Sequence, residues 1–139
     1  MSFTEKCNKI FNRCIDNYHK NNDVDAPIQN PYEERSIEYF LYLKNWIGTV
    51  QWHLEDIIRD PQIDPAGALK LKRRIDKSNQ DRTDLVEMID SWFLDKYKDI
   101  KPQAGATINT ETPAWAVDRL SILALKIYHM HEEAVRTDA

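Results

Sequence analysis

Apolar residues recur at three- and four-residue intervals in four separated stretches of the chain, a period that predicts four helices and no strands. Ser2 with Glu5 three residues on has the form of a capping box. Phe3, Cys7, Ile10, Phe11, Cys14 and Tyr18 carry the period onward, so the first helix runs to about His19. Lys20 to Asn30 holds three Asn, two Asp and a Pro without periodicity and reads as a loop. Asn30-Pro31, with Glu33 in the following turn, predicts a second helix starting near Pro31. Its seam is Phe40, Leu43, Ile47, Val50, Leu54 and Ile57/Ile58, and Asp60-Pro61 stops it. Asp64-Pro65 repeats the cap-and-Pro start, and a third helix passes through Leu71, Ile75, Val86, Ile89 and Phe93 to about Lys98, roughly 50 Å of helix. After the loop around Pro102, Gly105 and Thr107-Ile108-Asn109, Thr112-Pro113 opens a fourth helix that ends near Arg136.

The short second connection makes helices two and three an antiparallel hairpin, against which the shorter first and last helices pack. The expected fold is therefore all-α: a four-helix bundle with a long central helical hairpin, one domain over residues 1–139. With 42% hydrophobic residues in 139, the chain can bury a core without metal or disulfide support. Cys7 and Cys14 lie two helical turns apart, about 10 Å along the axis, too far for a disulfide, and read as small core residues. A net charge of −4 argues against nucleic acid and anionic membranes as partners. No apolar run approaches the roughly 20 residues of a membrane span and the N-terminus lacks an apolar signal core, so a cytoplasmic location is expected.

On a helical wheel, the fourth helix is apolar on two sides. Val117, Leu120, Leu123, Ala124, Ile127 and Val135 form one face, and Ile122 and Leu125 lie nearly opposite with Asp118 and His129. Either this helix is central in the bundle, or it is covered by the Gln103 to Glu111 loop, or its second face joins two copies in a homodimer.

The third helix places Asn79 and Arg82 among Ile75, Val86 and Phe93. An Arg on a core-facing stripe must meet a carboxylate or an anion, because an unpaired buried charge costs several kcal/mol. Glu55 at the edge of the helix-two seam and Asp90 are the partners within reach. The cluster of Asn79, Arg82, Glu55 and Asp90 reads first as an ion-pair network that fixes helix register, second as a pocket for a small phosphate or carboxylate ligand, and third as a metal-centred site.

Glu87-x-x-Asp90 sets two carboxylates one turn apart. It resembles the Glu-x-x-Asp of all-helical nucleoside-triphosphate pyrophosphohydrolases, which hold magnesium against a Glu-x-x-Glu on another helix. That resemblance implies a magnesium-dependent nucleotide or phosphate-ester hydrolase using Glu55, Glu87 and Asp90. Here the second helix supplies only Trp52-His53-Leu54-Glu55-Asp56, without the second Glu, and no Glu-x-x-His pair of a ferritin-like centre occurs. Outside this alternative, no metal ligand or cofactor is assigned.

The four His fall in no zinc motif. His53 flanks the helix-two seam beside Trp46 and reads as hydrogen-bonded or half-exposed. His131 lies near the middle of the main helix-four face and His129 on its second face, and either is a candidate general base. Glu87, His53, Asp118 and His129 are the weaker ligand-binding candidates. Trp46, Trp52, Trp92 and Trp115 read as packing and interface residues, and Lys70, Lys72, Arg73, Arg74 and Lys77 as a solvated face.

Trp52-His53-Leu54-Glu55-Asp56, the pattern Asn79-x-x-Arg82-x-Asp84-x-x-Glu87-x-x-Asp90, and Asp118-Arg119-Leu120-Ser121-Ile122-Leu123-Ala124-Leu125-Lys126-Ile127-Tyr128-His129-Met130 together resemble a family of all-helical bacterial proteins described as a domain of unknown function. The likeness runs from helix two to the C-terminus and implies a soluble bacterial helical protein, with no activity to carry over. The expected function is a non-enzymatic helical module that binds a protein partner, itself, or a small anionic ligand around Asn79 and Arg82, with the magnesium hydrolase as the alternative.

Overall fold

The computed structural model describes residues 1–138 as four helices: α1 (Phe3–Asn21), α2 (Ile37–Ile58), α3 (Pro65–Lys96) and α4 (Pro113–Val135). Each begins on a side-chain cap that takes one of the orphan amide protons of the first turn. Ser2 and Glu5 exchange both bonds of the expected capping box, at 2.9 and 3.1 Å. Asp64 accepts from Gly67 N at 3.2 Å and Thr112 from Trp115 N at 3.4 Å, with Pro65 and Pro113 following each cap.

The second helix departs from expectation by starting at Ile37 rather than near Pro31. Ser36 is the cap, accepting from Tyr39 N at 3.1 Å, and Arg35 before it has φ 68°, a left-handed conformation that no helix can pass through. Asn30 is used in the loop instead: its side chain accepts from Tyr32 N and donates to Tyr39 O.

Contacts along the helices fix their directions. Lys6 pairs with Glu38, the Cys14 thiol donates to Tyr42 O, and His19 meets His53, so α1 and α2 run parallel and residues 22–36 return the chain along the bundle. Lys44 pairs with Asp118, and Trp52 stacks on His129, so α4 is parallel to both. Only α3 runs the other way. Gln51 bonds Asn79 in the α2–α3 hairpin that the sequence predicts, and Asp90 bonds Ala114 N at the start of α4. Three parallel helices bring their C-terminal turns to one end of the bundle.

The core is built from Cys7, Ile10, Phe11, Cys14 and Ile15 of α1 against Leu41 and Tyr42, Leu85, Val86 and Ile89, and Val117 and Leu125. Both cysteines are free and buried. Among the described residues, no helix is long and apolar enough to cross a membrane.

The two faces of α4 are assigned otherwise than the wheel indicates. Asp118, Ser121 and Leu125 are buried with Val117 and Ala124, whereas Leu123, Ile127 and Val135 are exposed. His131 is likewise exposed rather than on a packed face. The side of α4 that carries a carboxylate and a hydroxyl turns inward because α2 presents a matching polar set, Lys44, Asn45 and Thr49, all buried.

Candidate functional site

At mid-bundle α2, α3 and α4 meet in a charged triad. Arg82 of α3 donates Nε to Asp118 Oδ1 at 2.8 Å and Nη2 to Oδ2 at 2.5 Å, the two-pronged geometry in which guanidinium and carboxylate fit best. The ammonium of Lys44, from α2, lies against Oδ1 of the same carboxylate. Lys44 and Asp118 side chains are 1% and 2% exposed, and Arg82 27%.

Two cations thus share one carboxylate. Burial pushes the Asp118 carboxyl upward, but the Arg82 hydrogen bonds and the nearby Lys44 charge outweigh it and hold the group below the usual carboxylate range. Lys44 is pushed below the usual lysine range, since burial of its ammonium exceeds what half a carboxylate returns. Arg82, rooted in its hydrogen bonds to Asp118, moves up. Asn45 donates to Ser121 Oγ at 3.0 Å and Thr49 donates to Asn45 O at 2.7 Å, extending the polar interior along the α2–α4 contact.

Arg82 therefore meets a carboxylate, as an Arg on a core-facing stripe must, but the partner is Asp118 rather than Glu55 or Asp90. Asn79 is exposed and bonds Gln51 at 2.8 Å instead of facing the core. Glu55 lines a shallow cleft of about 150 Å³ with Lys44, Gln51, Trp52, Arg82 and Ile122. Asp90 accepts from Ala114 N at 3.2 Å and caps α4, and Glu87 is exposed. These carboxylates do not converge. Among the described residues, the cluster of three or more side chains close enough to share a metal ion is made of His19, His53 and His129.

That cluster sits where α1, α2 and α4 end together. His19 Nε2 and His53 Nε2 are 3.2 Å apart, and the His19 Nδ1 proton goes to Ile15 O at 2.7 Å. His129 Nδ1 is 3.7 Å from the Glu132 carboxylate, and its Nε2 is buried without a hydrogen-bond partner. Each ring lies on an aromatic neighbour: His19 on Tyr128 at 4.3 Å, His53 on Tyr18 at 5.1 Å, His129 on Trp52 at 4.6 Å. Burial first, and the neighbouring imidazoles second, push His53 and His129 below the usual histidine range.

Residues 38–139 match the model of the family described as Protein of unknown function (DUF4254). The chain belongs to this family. No curated protein and no solved structure matches it. The DUF4254 segment contains α4, α3 and all but the first residue of α2, so the Lys44–Arg82–Asp118 triad, His53 and His129 fall inside it and His19, on α1, outside it.

Sequence reasoning misses Lys44 and His19. Lys44 lies three residues from Leu41, which is fully buried, and the argument that singles out Arg82 applies to it once the α2 seam is centred on Leu41 rather than Leu43. For His19 no local signal exists, because the three histidines are 34 and 76 residues apart and converge only when α1, α2 and α4 run parallel.

Proposed function

We propose that the protein is a non-enzymatic helical module that works as a pair, a second copy of the chain docking along α4. The observation that carries this reading is a seam on the outer side of α4: Ala116, Leu120, Leu123, Ile127, Met130 and Ala134, spaced four, three, four, three and four residues apart. That is the spacing of a coiled-coil interface, where each side chain enters a hole on a facing helix. Leu123, Ile127 and Met130 are 49%, 61% and 71% exposed, while the opposite side of the helix is packed in the bundle. Leu120 is partly packed against the core, and the rest of this three-four seam, left in water, matches another helix bearing the same seam, which a two-fold axis supplies without any further sequence requirement. Arg119, Lys126 and Glu133 flank it with charge, as the margins of a helix pair do. The self-pairing expected from the sequence is retained, but through Leu123 and Ile127. Leu125 is 1% exposed and belongs to the core.

The other readings find less support. Both cations beside the Glu55 cleft are committed to Asp118, which leaves little for a small anion, and the three acids of the magnesium alternative stand apart. Sedimentation equilibrium at tens of micromolar tests the proposal. Wild type is expected to sediment as two chains, and Leu123→Glu with Ile127→Glu as one chain with its helical signal unchanged. A wild-type monomer at that concentration overturns it.

A further inference from the structure

We propose that His19, His53 and His129 form a binding site for one divalent first-row transition-metal ion of the zinc type, held by three imidazole Nε2 atoms. The first support is geometric. A tetrahedral ion about 2.0–2.1 Å from each nitrogen sets those nitrogens about 3.3 Å apart and the ring centres about 5.2 Å apart. The ring centres here are separated by 5.2, 5.6 and 5.3 Å, and the rings are inclined to one another by 64°, 68° and 71°, close to a three-bladed propeller. The His19 and His53 nitrogens are already 3.2 Å apart, and ligand atoms of all three residues lie within 4.8 Å of one another. Small side-chain rotations close the remainder.

The second support is the bookkeeping of protons. His19 gives its Nδ1 proton to Ile15 O, so its Nε2 carries a lone pair. The His129 Nδ1 lies 3.7 Å from the Glu132 carboxylate, longer than a hydrogen bond but close enough for the negative charge to favour the proton on that side, which leaves a second lone pair on Nε2. His53 has one Nε2 proton to offer and gives it to His19, so the buried Nε2 of His129 has no partner. With the His53 proton moved to its own Nδ1, all three Nε2 atoms present lone pairs, and a cation accepts them at once and removes the deficit. The Ile15 carbonyl on the outer nitrogen of His19, and the Glu132 carboxylate near that of His129, are groups of the kind that orient and strengthen a metal-binding imidazole. Stacking on Tyr128, Tyr18 and Trp52 holds the rings in place.

The donor set decides the ion. Three neutral imidazoles suit zinc, cobalt, nickel or copper, whereas magnesium and calcium take oxygen. No Asp, Glu or Cys joins the three among the described residues, so a fourth coordination position is left for water or another small ligand.

The test uses the full chain stripped with chelator and titrated with zinc, cobalt and magnesium chlorides. One equivalent of zinc is expected to raise the melting temperature and cobalt to give the visible absorption of a tetrahedral centre, with magnesium inert at millimolar concentration. His53→Gln and His129→Gln are each expected to weaken zinc binding at least about 100-fold, and His131→Gln, an exposed neighbour, to leave it unchanged. Absence of zinc binding by wild type overturns the site, as does binding that survives both substitutions or is lost in His131→Gln. Should either variant fail to fold, the histidine ring proton signals of cobalt-loaded wild type decide. Three paramagnetically shifted imidazoles support the site, and fewer reject it.

Discussion

Removing Asp118 should be the most damaging single change in the polar interior, and the magnitude follows from what is left behind. In Asp118→Ala the Lys44 ammonium, 1% exposed, loses the carboxylate that balances it, and Arg82, at 27%, can turn only partly to water. Breaking a buried ion pair from one side costs about 3–5 kcal/mol. For a chain of 139 residues, with an unfolding entropy of about 2.1 cal/mol/K per residue, that loss lowers the melting temperature by roughly 10–17 °C.

The other two corners of the triad respond differently because the charges are unequal, two cations to one anion. Arg82→Ala leaves Asp118 still paired with Lys44 and should cost about 1–2 kcal/mol, less than the loss of a carboxylate's sole partner would. Lys44→Met leaves Arg82 and Asp118 as a balanced, doubly hydrogen-bonded pair in better-matched apolar surroundings, and should lie within about 1 kcal/mol of wild type in either direction. Urea unfolding followed by circular dichroism at 222 nm measures all three. The reasoning is refuted if Asp118→Ala loses less than about 1 kcal/mol, or if Lys44→Met loses as much as Asp118→Ala, since either result would mean that the ammonium is not stranded by loss of the carboxylate.

The depressed Asp118 carboxyl carries a pH signature. With the folded value below the unfolded 3.8, its contribution is complete above the unfolded value and disappears as pH falls through the folded one. The stability gap between wild type and Asp118→Asn should therefore narrow below pH 3.8, and a gap constant from neutral pH to the acid limit of folding would contradict this. At Gly48, inside α2, an added Cβ meets only Leu125 Cδ1 at 3.4 Å, so Gly48→Ala should gain about 0.5–1 kcal/mol of helix propensity, with thermal melts as the check and a net loss as the refutation. On α4, Leu125→Glu should unfold the chain whereas Leu123→Glu should not, a contrast that circular dichroism separates directly and that equal behaviour of the two would undo.

The helices and their ends were legible where the cap chemistry is local. Ser2 with Glu5, Asp64-Pro65 and Thr112-Pro113 each start a helix where the residues say, since a cap needs only its next three amides. Asn30-Pro31 has the same form and starts nothing, because Arg35 takes a left-handed backbone and Ser36 offers a second cap just beyond. Arg82 was legible as a charge that needs a partner. The identity of that partner was not, because Asp118 is 36 residues away and is reached only through the α3–α4 packing.

The inward faces of α2 and α4 are rotated from the expected seams, though Leu54 of α2 and Val117 and Ala124 of α4 stay buried, and the two offsets have one cause. Both helices are apolar over more than half their circumference, so a wheel that scores hydrophobicity alone has two candidate inward directions and prefers the one without charge. In the bundle the charged directions face each other: Lys44, Asn45 and Thr49 of α2 meet Asp118 and Ser121 of α4, and each polar set makes the other tolerable. Neither helix could bury its polar side alone. The consequence on α4 is that its cleaner apolar seam is displaced to the outside, where Leu123, Ile127 and Met130 are left uncovered. Asp118 and the proposed pairing surface are thus two ends of one choice. A chain that satisfied Lys44 and Arg82 by other means would be free to turn that seam inward, and would lose the proposed pairing surface.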